Sequence, residues 1–420
     1  MTFRIAMVAA CPFPARRGTP LRIERLADAL QARGNEVEVV TYHLCDEPSS
    51  TGYPVHRIRG RTVVRSLPPG PTVRKLALYD PLLARLIRRI LTARPFDVIH
   101  AHHFEGVITA HWARDAASPP LVYDAHTMLH SELPSYSSGI GADLSRRFGG
   151  LLDGRLPRLA DHVVTVTDDI RDRLVQREGL DPSRVTTCMN GVELDYFASA
   201  AEARPLNSGR IIYTGTLAAY QGFDLLLEAF AKALAVRSDL RLVCAASSSF
   251  APYEKRVREL GIRHAIELEA DSFAKLPGRL AAAQVAVLPR TACDGIPQKL
   301  LNYMAAGKAI VASRGSAKTI EDGRTGLVVE NDDAEAFAQA ILRLCDDQEL
   351  AAGLGRAARA HVEAHCSWDE TARLCEEVYA GLILPAASRP ASGDRAPVLQ
   401  SATSFGDSPS SARSRPISSR

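Results

Sequence analysis

The stretch that decides the fold runs Leu288-Pro-Arg-Thr-Ala-Cys-Asp-Gly-Ile-Pro-Gln-Lys-Leu-Leu-Asn-Tyr-Met-Ala-Ala-Gly307. The apolar run Val285 to Leu288 leads into it and predicts a parallel strand that is buried on both faces. Beyond the loop, Pro297 suits the first position of a helix, and Gly307 is placed to end that helix. The order strand, loop, helix is typical of an α/β fold.

This unit places a loop and a helix N-terminus at the carboxyl end of a strand, where open α/β sheets bind their ligands. A helix N-terminus carries about half a positive charge and unpaired N–H groups, so it favours phosphate. Asp294, Lys299 and Asn302 are the side chains that could add selectivity. An ordinary strand–helix crossover with a solvated lysine and a capping aspartate is the alternative that this stretch alone leaves open.

The segment from Asp294 to Gly307 resembles the donor-binding signature of the retaining glycosyltransferases of family four, which have the GT-B architecture. In that family an acidic residue opens the motif and contacts the transferred sugar, which implies a catalytic role for Asp294. A glutamate that binds the ribose of the nucleotide stands where Asn302 stands here, and Asn302 keeps hydrogen-bonding capacity without the charge. The resemblance also assigns to the donor-binding segment Gly295, Ile296, Pro297, Lys299, Leu300 and Leu301.

The resemblance implies an α/β fold of two Rossmann-like domains, each a doubly wound parallel sheet, that face a central cleft. We expect an N-terminal acceptor-side domain in residues 1–198 and a nucleotide-sugar-binding domain in residues 199–366. A helix in residues 367–384 is expected to cross back to the first domain. Residues 385–420 are mostly Pro, Ser, Ala and Arg, which predicts a disordered tail.

The N-terminal residues read as a strand, a loop and a helix that Thr19 can cap, followed by a second strand. The loop holds one glycine, Gly18, close to the helix start, which is a weak phosphate signal and not a dinucleotide fingerprint. In the family that this chain resembles, the matching loop approaches the donor diphosphate. The resemblance therefore implies a donor-binding role for Gly18.

Histidines follow two predicted strands of the first half, and a metal site is one interpretation of His100, His102, His103, His126 and His130. Their spacing shows no regular ligand pattern such as H-E-x-x-H, so the sequence favours a site without metal. The family works without a bound metal ion, and a histidine placed like His126 reaches the donor sugar there. A satisfied loop histidine is the alternative for His126.

The second half opens with Arg210-Ile-Ile-Tyr-Thr-Gly-Thr216, a strand that ends in a glycine turn at Gly215. The family normally has an arginine after that glycine and a lysine before a later one, and together they bind the donor diphosphate. This chain has Thr216 and Gln221 at these positions, which can donate hydrogen bonds but carry no charge. Arg290 or Lys299 could supply the missing cation, helix N-termini could bind the diphosphate with less help, or the donor could be unusual or the site weakly active.

Two further segments of the first half admit a functional and an ordinary interpretation. The basic, amphipathic stretch Pro81 to Arg94 could rest on an anionic membrane or guide an anionic acceptor, but ordinary packing on the sheet is favoured. The Gly- and Ser-rich segment Ser135 to Gly154 is expected to be an acceptor-side loop or lid.

Composition limits the classes of function that this chain of 420 residues can have. A net charge of +3 is too small to imply nucleic-acid binding, and no apolar run is long enough for a transmembrane helix. Eight cysteines are spread singly through the chain, which predicts reduced thiols and a cytoplasmic protein, with peripheral contact at the inner membrane face as a further hypothesis.

The sequence thus predicts a retaining glycosyltransferase that moves a sugar from a nucleotide-diphosphate sugar to an acceptor hydroxyl and needs no cofactor or metal. A lipid-linked acceptor is one hypothesis. A catalytically silent relative that binds a nucleotide sugar or a partner chain is the alternative, because Thr216, Gln221 and Asn302 depart from the family pattern. A nucleotide-sugar epimerase would need an acid and base pair in the cleft, and the sequence offers none that is clear.

Overall fold

The computed structural model describes residues 1–15, 18–45, 51–59, 70, 72, 74–136, 140–202 and 209–383. The residues expected to form a disordered tail, 385–420, lie outside this described part. Within it, the chain builds two parallel β-sheets, one after the other, and we call the sheet-and-helix layers around them the first and the second lobe.

The first lobe is built on seven parallel strands. In chain order they are β1 (Arg4–Ala9), β2 (Glu36–Thr41), β3 (Val55–Arg57), β4 (Val98–His102), β5 (Leu121–Ala125), β6 (His162–Thr165) and β7 (Val185–Thr187). Their order in the sheet is β3-β2-β1-β4-β5-β6-β7. The helices that connect them are α1 (Gly18–Ala32), α2 (Asp80–Ala93), α3 (His103–Ala113), α4 (Leu129–Glu132), α5 (Ile140–Arg155) and α6 (Asp168–Gln176), with a π-helical turn at Lys75–Tyr79 before α2.

The second lobe repeats this arrangement with six parallel strands. They are β8 (Arg210–Gly215), β9 (Arg241–Ala246), β10 (Ile266–Ala270), β11 (Val285–Leu288), β12 (Ala309–Ser313) and β13 (Leu327–Val329), in the sheet order β10-β9-β8-β11-β12-β13. The helices from the lobe junction onward are α7 (Ala198–Glu202), α8 (Phe223–Val236), α9 (Glu254–Glu259), α10 (Leu276–Ala282), α11 (Gln298–Ala305), α12 (Ala334–Asp346), α13 (Gln348–His365) and α14 (Trp368–Ile383).

Each sheet reverses its strand order at one place, which is where doubly wound sheets bind ligands. In the first lobe the reversal lies between β1 and β4, and in the second it lies between β8 and β11. The turn at Gly215 follows β8, and the loop that carries Asp294 follows β11. The two second-half segments singled out from the sequence therefore flank the same reversal point.

Helix α11 is held by its apolar side. Leu300, Leu301 and Met304 are fully buried and belong to the second-lobe core, as the helical spacing predicts. The same core includes Val192 and Phe197, so the chain enters the second lobe near residue 192. The domain limits at residues 198 and 366 stay predictions.

Helix α14 packs on the first lobe after the chain has completed the second. Its Tyr379 hydroxyl lies 2.6 Å from His100 Nδ1, and Glu376 accepts hydrogen bonds from Arg33. At the point of return, a Cβ atom on Gly191 would lie 2.4 Å from the backbone nitrogen of Trp368. The absence of a side chain at Gly191 lets the two segments cross in contact.

One local prediction is wrong, and one alternative is decided. Residues 140–155, expected to be part of a loop or lid, form helix α5. Its Gly149 packs where a Cβ atom would lie 2.4 Å from the Leu129 oxygen, so this glycine serves close packing and not chain flexibility.

Helix α2 buries Leu83 and Ile87 in the first-lobe core, which is the ordinary packing that the sequence favoured. Among the described residues, no helix is both long and apolar enough to cross a bilayer.

Two glycines of α13 allow a matched test of the packing between α13 and the end of α11. A Cβ atom at Gly355 would lie 2.1 Å from the Gly307 oxygen, whereas one at Gly353 would meet nothing within 4 Å. We expect Gly355→Ala to destabilise the protein by about 1–3 kcal/mol or more, because backbone cannot move aside cheaply. Gly353→Ala should stabilise it by up to about 1 kcal/mol through helix propensity. Thermal unfolding measures both, and equal shifts in Tm would contradict this packing.

Candidate active site

Lys299 lies at the reversal point of the second sheet, against the turn that ends β8. Its Nζ donates a hydrogen bond of 3.0 Å to Gln221 Oε1 and lies 4.3 Å from the ring centroid of Tyr213. A Cβ atom on Gly215, which has φ +102°, would lie only 3.3 Å from that Nζ. The bare glycine turn thus lets the lysine approach the backbone, and the structure brings together Gly215, Gln221 and Lys299 as the sequence proposed.

Burial changes the charge of this lysine. Loss of water around Nζ, followed by repulsion from the Arg290 guanidinium, lowers the pKa of Lys299 to about 7. Gln221 offers a dipole but no negative charge, so it stabilises the ammonium weakly. An anion bound beside Nζ would favour the charged form and raise that pKa again.

The loop that carries Asp294 is seated on two glycines that the sequence analysis did not identify. A Cβ atom at Gly222 would lie 2.3 Å from the Pro289 oxygen, and one at Gly315 would lie 1.7 Å from the Thr291 oxygen. Gly222 also has a positive φ of +70° at the start of α8. The sequence shows Gly222 directly before an amphipathic helix, but nothing in it indicates that Gly222 contacts Pro289, which follows β11.

Arg290 is held by its own surroundings in this structure. Its Nε donates to the Ala292 oxygen at 2.6 Å, and its guanidinium carbon lies 5.1 Å from the ring centroid of Tyr220. It remains close enough to Lys299 to lower the pKa of that lysine. Arg290 therefore borders the lysine pocket, while Lys299 is the cation that touches the Gly215 turn.

The remaining predicted donor residues lie on α11 or directly before it, and they fall into two groups. Leu300 and Leu301 are core residues, Ile296 is buried, and Pro297 lies directly before the first helical residue in extended conformation. Asn302 is only 7% exposed, and within the described part of the chain its Oδ1 has no hydrogen-bond partner. An unpaired buried amide oxygen is costly, so Asn302 has the property expected of a group that a ligand hydroxyl completes.

Asp294 and Gly295 lie where the two lobes touch. The Ser131 hydroxyl donates to the Asp294 carboxylate, and the Thr167 hydroxyl donates to the Asp294 backbone oxygen at 3.1 Å. A Cβ atom on Gly295 would lie 3.5 Å from the backbone oxygen of His126. The structure thus brings Asp294 and Gly295 to one junction with His126, which is distant from both in sequence.

A buried ion pair positions the first-lobe side of this junction. Arg22 on α1 donates from Nε to Asp124 Oδ2 at 3.0 Å, from Nη1 to Asn190 Oδ1 at 2.8 Å and from Nη2 to the Cys188 oxygen at 3.0 Å. Burial opposes ionisation of Asp124, but Arg22 and then His126 outweigh it and hold the pKa of the carboxyl well below its usual range. The sequence analysis missed Arg22, because an arginine among the apolar positions of a helix is normally exposed.

His126 lies next to this ion pair with both ring nitrogens near polar atoms. Its Nδ1 is 3.1 Å from Thr19 Oγ1, and its Nε2 is 3.3 Å from His102 Nδ1. Burial lowers the pKa of His126 despite the nearby Asp124, so the ring is neutral at neutral pH. Thr19 follows Gly18, the first residue of α1, and this contact places the start of α1 beside His126.

His100, His102 and Asp124 converge in the first lobe closely enough to resemble a set of metal ligands. Asp124 Oδ2 already accepts from Arg22 and lies 3.2 Å from His100 Nε2 and 3.3 Å from His102 Nδ1. A metal ion at that oxygen would lie against a guanidinium, which is electrostatically unfavourable. The arrangement therefore fits an ion-pair network better than a metal site, although Asp124 Oδ1 and His102 Nε2 have no hydrogen-bond partner among the described residues.

Thr216, which replaces the family's arginine, faces the neighbouring serine loop. Its Oγ1 donates to Ser248 Oγ at 3.4 Å, and its backbone oxygen accepts from the Tyr213 hydroxyl at 2.6 Å. Tyr213 thus holds the turn with its hydroxyl and lies under Lys299 with its ring. This double role was invisible in the sequence, where Tyr213 is simply a strand residue.

Two family descriptions match most of the chain. Glycosyltransferase Family 4 matches residues 17–196, and Glycosyl transferases group 1 matches residues 208–347. Among curated proteins, the chain is 28% identical over 363 residues to a D-inositol 3-phosphate glycosyltransferase of Mycolicibacterium paratuberculosis, covering 81% of this chain and 80% of the relative. It is also 28% identical over 402 residues to the protein of that name from Mycobacterium bovis, covering 88% and 81%.

Solved structures share the fold at low sequence identity. Sucrose-phosphate synthase from Thermosynechococcus elongatus superposes with a TM-score of 0.73 and 19% identity, over 90% of this chain and 99% of that one. Anabaena HepE, crystallised with UDP and glucose, gives a TM-score of 0.67 and 18% identity, over 90% and 100%. These likenesses show the GT-B fold, in agreement with the two parallel-sheet lobes. By the two family matches, over residues 17–196 and 208–347, the chain belongs to the family four, group 1 glycosyltransferases.

Proposed function

We propose that this glycosyltransferase transfers a sugar from a nucleotide-diphosphate sugar to an acceptor hydroxyl with retention of anomeric configuration. The observation that carries the proposal is Lys299 Nζ against the Gly215 turn, at the reversal point where a diphosphate would lie. The unpaired, buried Oδ1 of Asn302 on the same helix supports a ribose contact. We take UDP as the first nucleotide to test, because a structural neighbour was crystallised with it.

The reaction breaks the bond between the anomeric carbon and the diphosphate oxygen and forms a bond to the acceptor oxygen on the same face of the sugar. The acceptor's proton passes to the leaving diphosphate, so no separate base is needed. The main task of the protein is to stabilise negative charge that builds on the leaving group. Lys299, Arg290, the Gly18 and Gly215 backbone, and the hydrogen-bond donors Thr216 and Gln221 would share it.

In the same proposal Asp294 and His126 orient the sugar from opposite lobes. Both lie at the junction, and Asp294 would exchange its present bond from Ser131 for a sugar hydroxyl. No cofactor other than the nucleotide sugar and no metal ion take part, which agrees with the guanidinium already placed at Asp124. None of the eight cysteines forms a disulfide, which supports the proposed cytoplasmic setting.

One experiment on the purified protein tests turnover, stereochemistry and metal dependence together. We expect the purified protein to release UDP from a UDP-sugar when a suitable acceptor is present, and proton NMR of the product should show the donor's anomeric configuration. Added EDTA should leave the rate unchanged. An inverted product would contradict retention, and loss of activity with EDTA that metal restores would contradict metal independence.

A catalytically silent protein is the second candidate, because Thr216 and Gln221 stand where the family has cations. Calorimetric binding of UDP-sugars with no UDP release, across a panel of donors and acceptors, would favour it. Failure to bind any nucleotide sugar would contradict the proposed transferase and would leave, of the silent candidate, only a protein that binds a partner chain.

A further prediction concerns the charge of Lys299. Since its pKa is about 7 in the free protein, the lysine is mostly neutral at pH 8, and a bound diphosphate must bring it a proton. Affinity for UDP-glucose, whose diphosphate does not titrate in this range, should therefore fall by about tenfold between pH 6 and pH 8. Calorimetry in two buffers of different ionisation enthalpy should show proton uptake on binding.

Variants separate Lys299 from other titrating groups. Lys299→Arg should bind with little dependence on pH, because a guanidinium stays charged, and Lys299→Met should bind weakly at every pH. Lys308→Met is the matched control: burial lowers the pKa of Lys308 to about 8, but its Nζ donates to the Ala283 oxygen, away from the pocket. Wild-type binding without proton uptake would contradict the role of Lys299.

We further propose that the acceptor is lipid-linked and that the protein contacts an anionic membrane at its inner face through helix α5. Leu144, Phe148 and Leu151 lie at helical spacing on α5 and are 70%, 54% and 49% exposed. Arg147 and Arg155 are exposed on the same helix and complement anionic headgroups. Helix α2 does not offer such a face, since its apolar side is buried.

Flotation with vesicles tests this surface. We expect the protein to float with phosphatidylglycerol-containing vesicles, and the triple change Leu144→Ser, Phe148→Ser and Leu151→Ser should reduce the bound fraction severalfold, because bound apolar area is lost. The control changes Val236→Ser and Leu268→Ser, at exposed apolar positions of the second lobe, should have no effect. Unchanged binding of the triple variant, or self-association that the triple change abolishes, would contradict the membrane assignment.

A further inference from the structure

A mixed-charge cluster lies in the first lobe beside the lobe junction, and we name it the first-lobe polar subsite. Its members are Lys75, His103, Glu105, Glu132 and Tyr136. The ring centroid of His103 lies 6.2 Å from that of His126, and Ser131, next to Glu132, contacts Asp294. Since His126 and Asp294 are the proposed sugar contacts, the subsite borders the position from which an acceptor would approach.

The lysine of this subsite already has a carboxylate partner. Lys75 Nζ lies 2.5 Å from Glu105 Oε1, and both side chains are buried. Nζ also donates to the Gly70 oxygen at 3.0 Å. An anionic ligand would therefore have to displace or share a charge that Glu105 balances, at the cost of leaving that buried carboxylate unpaired.

The histidine of the subsite is held between two carboxylates in an unusual backbone conformation. His103 has φ +63°, its Nε2 lies 3.0 Å from Glu132 Oε2, and its Nδ1 lies 3.7 Å from Glu105. Burial opposes protonation, but Glu132 and Glu105 outweigh it and raise the pKa of His103 to about 10. Burial likewise opposes ionisation of Glu132, and His103 more than offsets this, so the pKa of Glu132 falls to about 2. Both groups are charged at neutral pH.

Among the residues that the structure describes, carboxyl groups outnumber cations once the neighbouring Asp80 is counted with the members of this subsite. Asp80, which accepts a hydrogen bond from Tyr42, lies close enough to Lys75 and Glu105 to interact with their charges. Burial raises the pKa of Asp80 to about 6, so it is largely ionised at pH 7.5. Asp80, Glu105 and Glu132 together exceed Lys75 and His103 by one negative charge. The local potential therefore repels an incoming phosphate and attracts an ammonium.

Tyr136 lies at the surface end of this subsite. Its hydroxyl donates to Glu132 Oε1 at 2.9 Å, while its residue is 44% exposed, so this pair connects the buried charges to the surface. A carboxylate and a phenol hydroxyl are a matched acceptor and donor for sugar hydroxyls or an amine. Lys75 and His103 both have carboxylate partners, so neither offers an unpaired positive charge to a ligand.

We propose that the acceptor presents hydroxyl or amine groups, and not a phosphate, to the first-lobe polar subsite. The inference rests on the proposed glycosyl transfer and names the chemistry of its second substrate. In a lipid-linked acceptor, any phosphate would then lie outside this subsite.

The test compares three acceptor probes that differ in charge at one position: a neutral methyl glucoside, the matching glucosamine derivative and its 6-phosphate. With UDP-sugar saturating, we expect kcat/KM for the phosphorylated probe to be lower than for the other two by about tenfold or more, which is the scale of one like-charge contact in a partly buried site. Equal or higher kcat/KM for the phosphorylated probe would overturn the proposal.

A gain of phosphate binding provides a second measurement that needs no turnover. Glu105→Gln with Glu132→Gln removes two of the three carboxylates and frees Lys75, so with UDP-sugar saturating the donor pocket the variant should show a larger rise in Tm with inorganic phosphate than the wild type. Glu267→Gln, in which a glutamate paired with Arg210 in the second lobe is changed, is the matched control and should resemble the wild type. Phosphate stabilisation of the wild type equal to that of the double variant would overturn the proposal. UDP-sugar binding, measured in parallel, shows whether the donor site itself is intact, so failure of the proposed function is recognised separately.

Discussion

The buried pair of Arg22 and Asp124 is the interaction on which the first-lobe side of the site depends. Desolvating two ions costs several kcal/mol each, and the cost is offset only when nearly every donor and acceptor is satisfied. Arg22 meets this condition by donating to Asp124, Asn190 and the Cys188 oxygen. One guanidinium thereby fixes α1, the end of β5 and the segment after β7 to each other. His126, two residues after Asp124, inherits its position from that network.

The two lobes satisfy their buried polar groups in different ways. In the first lobe, the buried cations Lys75 and His103 have the carboxylate partners Glu105 and Glu132. In the second lobe, Lys299 meets only the neutral Gln221, and Asn302 keeps an unpaired oxygen among the described residues. Within the proposed function, a buried cation with a neutral partner gains more from a bound anion than one already paired with a carboxylate, which is why we assign the diphosphate to the second lobe.

The sequence predicted the elements that depend on local pattern and missed those that depend on contact. The helix between Pro297 and Gly307 follows from its flanking residues, and it is confirmed as α11. Helix α5 was taken for a loop because its glycines look flexible, whereas Gly149 meets the Leu129 backbone. Gly222 and Gly315 are explained only by the β11 loop that passes over them, and Arg22 only by Asp124. Such pairings join segments that are distant in sequence, so the pattern of a single sequence could not reveal them. The roles of Asp294, His126 and Asn302 stay predictions.

The loss of the family's two fixed cations has a physical consequence beyond weaker binding. A permanently charged arginine at Thr216 would keep its charge when no ligand is bound, and in a partly buried pocket that charge needs a partner. Lys299 avoids this cost by releasing its proton, because burial lowers its pKa to about 7. In the proposed function, a bound diphosphate restores the ammonium. Neutral donors such as Gln221 and Thr216 form bonds about half as strong as charge-assisted ones, so they cannot replace this protonation step. Within the proposed function, the free energy of donor binding thus includes the protonation of one lysine, which couples affinity to pH in a way that an arginine site would not.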